Sequence, residues 1–126
     1  MMTRPTVLLG EDSSMVLMAT EFLLEEHDLQ VIATASSLES ALEQARSTTP
    51  DIVLLDVNLF GEMSFPVADV LVERGIPFIF TTGYSANESI PSRFAATPVM
   101  HKPYDEGALM VMVGQLLAAT SPRNAP

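Results

Sequence analysis

Three acids stand where β-rich apolar runs give way to loops. Glu11 and Asp12 follow Thr6-Val7-Leu8-Leu9-Gly10, and Asp56 follows Asp51-Ile52-Val53-Leu54-Leu55. Two further runs end in polar residues of other kinds: Thr81-Thr82-Gly83 after Pro77-Phe78-Ile79-Phe80, and Lys102-Pro103 beyond Pro98-Val99-Met100. If the first and third runs are neighbouring strands, three carboxylates converge at one edge. Two like charges about 4 Å apart repel by about 4 kcal/mol even at an effective dielectric near 20, so such a cluster makes sense around a cation. Oxygen ligands without cysteine, and without a histidine beside the acids, select a hard ion. Mg²⁺ takes one or two carboxylates, keeps several waters and adds a phosphate oxygen. A phosphoryl group there would also want a hydroxyl and a fixed positive charge, which Thr82 and Lys102 can supply. Lys102 is the only lysine among six basic residues, and a compact ammonium suits a phosphate site. Taken singly, an acidic pair before a helix is also an ordinary cap, and Thr-Thr-Gly and Lys-Pro are common loop sequences. Their joint placement at four strand ends carries the argument.

The elements that must position these residues alternate along the chain. Apolar runs of three to five residues, at Thr6–Leu9, Gln30–Ala33, Asp51–Leu55, Pro77–Phe80 and Pro98–Met100, predict strands buried on both faces of a parallel sheet. Helical spacing lies between them. Leu38, Ala41, Leu42 and Ala45 follow an i, i+3, i+4, i+7 pattern, with Ser36 and Glu39 as a capping box. Further helices are expected over Ser14–Glu26, over Phe65–Arg74 between Pro66 and Gly75, and from Asp105-Glu106 to about Ala119. A fourth helix by rhythm, Tyr84 to Ala96, is weakened by Pro91 and its polar residues. Five strands alternating with helices imply right-handed βαβ units and a doubly wound α/β sheet, in which ligands bind at the carboxyl ends of the strands. One domain is expected over 1–126, with its core at about 6–119 and no output domain.

Composition excludes several functions. The chain has 126 residues, is 48% hydrophobic and 17% charged, enough to build a core and too apolar for global disorder. No apolar run approaches the roughly 20 residues that span a bilayer, and the first residues do not form a secretory signal. Zero cysteines fit a reducing cytosol, so a cytoplasmic protein without membrane contact is expected. A net charge of −10 with scattered basic residues would repel a phosphate backbone, so nucleic acid is not an expected partner.

The constellation resembles the receiver domain of two-component response regulators, from Thr6 to Ala119. Its landmarks are Val7-Leu8-Leu9-Gly10-Glu11-Asp12, Asp51-Ile52-Val53-Leu54-Leu55-Asp56, Thr82-Gly83 and Lys102-Pro103. That resemblance implies a flavodoxin-like strand order 2-1-3-4-5 with helices on both faces. It implies Asp56 as phosphoacceptor, Asp12 as a direct Mg²⁺ ligand, Glu11 acting on the metal through water, and the Asn58 backbone carbonyl as a further ligand. Thr82 would bind phosphoryl oxygens in the active state and Lys102 would pair with them. More narrowly, Phe80-Thr81-Thr82-Gly83-Tyr84 resembles the Phe-Ala-Thr-Gly-Tyr signature of the FAT GUY single-domain regulators, with Thr81 where alanine is usual. This implies an HWE-type histidine kinase as partner and general stress signalling. Two departures matter. Val99 stands where many receivers carry a switching aromatic residue, which leaves Thr82, Gly83 and Tyr84 as the expected switch. Phe60 stands where proline is common, so a differently shaped loop is expected.

Other residues point elsewhere or nowhere. His27 and His101 have no nucleophile in a recognisable motif and are expected to be structural or solvent-facing. No Gly-x-Gly-x-x-Gly, P-loop or Gly-x-Ser-x-Gly occurs. The first and last helices carry more apolar residues, many of them methionines, than one core stripe needs. In receivers the first helix docks the kinase, and helices near the last strand meet output partners. The expected function is a phosphorylatable receiver that signals through a downstream protein partner rather than by enzymatic turnover. A phosphorylation-independent interaction module would keep the fold without charging Asp56. A Mg²⁺-dependent phosphohydrolase would want a second acid two residues after its nucleophile, where Asn58 stands.

Overall fold

The computed structural model describes residues 4–83 and 90–120. Its strands are β1 (Thr6–Gly10), β2 (Gln30–Ala35), β3 (Ile52–Asp56), β4 (Asn58–Leu59), β5 (Glu62–Met63), β6 (Phe78–Thr82) and β7 (Val99–His101). Its helices are α1 (Ser14–Glu26), α2 (Leu38–Ser47), α3 (Phe65–Arg74) and α4 (Glu106–Thr120). Five strands form one parallel sheet in the order β2-β1-β3-β6-β7. With the small β4–β5 pair set aside, this is the expected order 2-1-3-4-5.

Alternating side chains along each strand feed two cores, one on either face of the sheet. On one face Leu8, Val53, Leu55, Phe78 and Phe80 meet Ala41 and Ala45 of α2 and Val67, Ala68 and Leu71 of α3. Four phenylalanines gather there, with Phe78 and Phe80 nearly perpendicular at 5.2 Å between ring centroids, and Phe65 and Phe94 stacked at 6.0 Å. Edge-to-face contacts of this kind add to area burial. On the other face Val7, Leu9, Ile52, Leu54 and Ile79 meet Leu24 of α1 and Leu109 and Val113 of α4.

β1, β3 and β6 are buried along almost all their length, as their unbroken apolar runs predict. β2 is not: as an edge strand it alternates, with Ile32 exposed. An edge strand has one hydrogen-bonding neighbour and less cover, so expecting burial on both faces there was wrong. Ser37, not Ser36, caps α2: its side chain accepts from Ser40 N at 3.1 Å, which takes Glu39 out of a capping box. Ser13 caps α1 by accepting from Val16 N, and Asp105 accepts from Ala108 N at 2.8 Å to start α4. Gly75 ends α3 in the left-handed region at φ 70°, where glycine carries no Cβ penalty.

The expected helix over Tyr84–Ala96 is not found in its described part. Only a 3₁₀ turn, Ser92–Phe94, follows Pro91, and it buries Phe94 in the aromatic core. Tyr84 to Ser89 lie outside the described residues. β4 and β5 were not expected either. They form an antiparallel hairpin whose two central residues, Phe60 and Gly61, both have positive φ (54° and 85°), as a tight primed turn requires.

Candidate functional site

Parallel pairing puts the carboxyl ends of β1, β3, β6 and β7 along one edge, and the charged residues of the sequence meet there. A Cβ on Gly10 would come within 2.9 Å of Leu55 Cδ1, so glycine leaves room for the Leu55 side chain just before β1 and β3 present their acids. Glu11, Asp12 and Asp56 each offer a carboxylate oxygen within 4.8 Å of the others. Lys102 Nζ donates to Glu11 Oε1 at 2.9 Å and to Asp56 Oδ2 at 3.1 Å, bridging two carboxylates that are almost fully buried. The Lys102–Pro103 peptide that carries it is cis.

Other oxygens of the site have partners too. Glu11 Oε2 accepts from Ser13 N at 3.0 Å, which ties the acid to the start of α1. Asp12 Oδ2 accepts from Phe60 N at 2.9 Å, and Asn58 Oδ1 from Gly61 N at 2.7 Å, so both hold the β4–β5 turn. Ser64 Oγ donates to the Asp56 carbonyl oxygen at 2.5 Å and fixes the chain just after β3.

Burial dominates the electrostatics. It raises the Asp56 carboxyl from 3.8 to about 7; Glu11 adds to the rise, while Thr81 and Lys102 offset part of it. Burial pulls Lys102 the other way, but Glu11 and Asp56 outweigh it and hold the ammonium above its ordinary value. Three oxygen donors, one fixed ammonium and no soft ligand among them fit a hard divalent cation such as Mg²⁺. Glu11, Asp12 and Asp56 would hold it, and when bound it supplies positive charge to an incoming phosphoryl group.

Thr82 lies at the same edge, but its hydroxyl meets His101 Nδ1 at 2.8 Å across the β6–β7 pair rather than the acids. Gly83 follows at the mouth of a groove of about 490 Å³ that it lines with Met15, Ala19, Lys102, Pro103 and Tyr104. Tyr84, the expected switch residue, lies outside the described residues. Val99 packs against the phenylalanine core. His27 is structural as expected, its Nε2 2.7 Å from Glu106 Oε2 between the ends of α1 and α4.

Two contacts of the site escaped the sequence reading. Thr81 Oγ1 donates to Asp56 Oδ1, and His101 holds Thr82. The signal for the first was available: in a parallel sheet, residue 81 pairs with residue 56 on the same face once β3 and β6 are neighbours. A larger open groove of about 930 Å³ runs along α2 and reaches Glu62 of the β4–β5 hairpin.

A family model described as the response regulator receiver domain matches residues 7–114. Among curated proteins, the sensory transduction protein LytT of Bacillus cereus is 30% identical over 103 residues, covering 79% of this chain and 42% of that protein. The chain thus spans under half the length of that relative. Among solved structures, SdrG from Sphingomonas melonis Fr1 is 36% identical with a TM-score of 0.80, over 93% of this chain and 99% of that one. The BeF₃-activated conformation of SdrG from Pseudomonas melonis Fr1 is 34% identical with a TM-score of 0.75, over 93% and 99%. No described helix is long and apolar enough to cross a membrane.

Proposed function

The chain belongs to the response regulator receiver domain family, and from that membership we propose that Asp56 accepts a phosphoryl group from a histidine kinase in a Mg²⁺-dependent reaction. The observation that carries this is the double bridge of Lys102 to Asp56 and Glu11 inside a three-acid cluster at the sheet edge. One Asp56 oxygen attacks phosphorus, the N–P bond of the donor phosphohistidine breaks, and its electron pair returns to the imidazole. The protein supplies little covalent chemistry beyond the nucleophile: it positions the carboxylate and neutralises charge. Lys102 exchanges its bond to Asp56 for the phosphoryl oxygens, and Thr82 leaves His101 to bind them as well.

Thr82, Gly83 and Tyr84 then form the switch, and output is a phosphorylation-controlled protein interaction in the cytoplasm rather than catalytic turnover. Phe80-Thr81-Thr82-Gly83-Tyr84 supports the FAT GUY subgroup, with an HWE-type kinase and a role in general stress signalling. The exposed Met15, Met18 and Phe22 on one face of α1 support kinase docking there. The likeness to SdrG, which has been solved in a BeF₃-activated conformation, supports a phosphoryl-responsive site.

Incubation with a small acyl phosphate and Mg²⁺, followed by intact-mass measurement, tests the proposal. A single phosphoryl addition that is absent in Asp56→Asn is expected. No addition would leave only a phosphorylation-independent interaction module, and continuous release of phosphate at many turnovers would indicate a phosphohydrolase.

A further inference from the structure

The two oxygens of Asp56 have different partners. Oδ2 faces Lys102, whose side chain is 19% exposed, and Oδ1 faces the hydroxyl of Thr81, which is 2% exposed. An incoming phosphoryl group therefore has access to Oδ2, while Oδ1 stays covered. The Thr81 hydroxyl reaches Oδ1 because β3 and β6 pair residue 56 with residue 81 on one face. The same side chain borders a small enclosed space with Glu11, Thr20 and Tyr104. Nothing in the family signature calls for a hydroxyl there, since alanine is usual at this position.

We propose that Thr81 is a catalytic residue that shortens the life of the phosphorylated state by donating its hydroxyl to Asp56 Oδ1. The inference rests on the assignment of Asp56 as phosphoacceptor. When Oδ2 bonds to phosphorus, Oδ1 becomes the carbonyl oxygen of an acyl phosphate and loses most of its negative charge. A hydrogen bond to a carboxylate is stronger than one to a neutral carbonyl, so the Thr81 hydroxyl favours the free acid over the acyl phosphate. In hydrolysis, a water oxygen bonds to phosphorus, the Oδ2–P bond breaks, and its electron pair returns to the carboxylate. Both protons of the water leave with the released phosphate. Negative charge returns to Asp56 in the loose transition state, and the Thr81 bond strengthens as it does. A donor placed where charge develops lowers the barrier. Uptake runs the other way: Asp56 gives up charge as it attacks, so the same bond slows the gain of the phosphoryl group.

The test compares wild type with Thr81→Val, Thr81→Ala and Thr81→Ser. Each is loaded with a small acyl phosphate in Mg²⁺ buffer, freed of donor, and followed by intact mass. Removing the hydroxyl should lengthen the phosphorylated lifetime about three- to tenfold, the share of a charged hydrogen bond expected in a partly formed carboxylate. Uptake should be modestly faster, and Thr81→Ser should match wild type. A merely structural role predicts the opposite sign, because a loosened site admits water and decays faster. Thr81→Ala keeps the test open if Thr81→Val folds poorly. Decay unchanged or faster in both, or a serine variant as long-lived as valine, would overturn the inference while leaving Asp56 as phosphoacceptor. A wild-type chain that takes up no phosphoryl group would overturn both.

Discussion

In metal-free buffer, Asp56→Asn should stabilise the protein at pH 8 and do little near pH 4. Asp56 is 3% exposed, and burial is the main reason its carboxyl sits at about 7 rather than 3.8. The folded chain binds this proton more tightly than the unfolded chain does, so stability from this group is complete below about 4 and is lost as pH rises to about 7. Each tenfold difference in proton affinity is worth about 1.4 kcal/mol, which sets the cost of ionised Asp56 above pH 7 at about 4 kcal/mol as an upper bound. Asparagine removes that charge, keeps an acceptor for Thr81, and leaves Lys102 paired with Glu11. It loses one attraction to Lys102, so a net gain of about 2–4 kcal/mol is expected, or roughly 10 °C in melting temperature for a domain of this size. Thermal melts at pH 4, 6 and 8 with a chelator present would measure it. An equal increment at all three pH values, or a loss at pH 8, would refute the electrostatic account.

Lys102→Met should do the reverse at pH 8, leaving two buried carboxylates unneutralised at a cost of about 2–3 kcal/mol by urea denaturation. The loss should shrink towards pH 5 as Asp56 takes up its proton, and NMR shifts on adding BeF₃⁻ should be lost. Gly10→Ala should cost about 1–3 kcal/mol in the same assay, because its Cβ would meet Leu55 Cδ1 at 2.9 Å between the strands that carry the acids. Phe22→Glu, at a side chain 66% exposed on α1, should change stability by no more than about 0.5 kcal/mol. It should leave uptake from a small acyl phosphate intact and slow phosphotransfer from a cognate kinase about tenfold if α1 is the docking face.

Most of the architecture was legible because the three central strands are buried on both faces and read as unbroken apolar runs. Glu11, Asp12, Asp56 and Lys102 were legible as a group because parallel strands present their carboxyl ends together. What the residues alone did not show depends on tertiary placement. β2 looks like its neighbours in composition, but at the edge of the sheet it pairs with one strand and its residues are only partly covered. The capping serine of α2 was set by where the chain turns, one residue beyond the one expected. The Phe60-Gly61 hairpin is held by Asp12 and Asn58, whose roles in a turn cannot be told from ligand roles by type. Ser92–Phe94 folds as a short turn because Phe94 is drawn into an aromatic core assembled from distant strands.

β6 has a consequence of its own. Successive residues of a strand point to opposite faces, so the threonine pair at its end is divided between two environments. Thr81 shares a face with Asp56, the aliphatic core, and the helices α1 and α4. Thr82 shares a face with Phe80 and is tied to His101 at the sheet edge. On the proposed reading, the first position would set how long the chemical mark persists, and the second how the mark is announced. A lineage could then retune the clock at residue 81 without rewriting the message at residue 82. Two adjacent codons would separate duration from meaning.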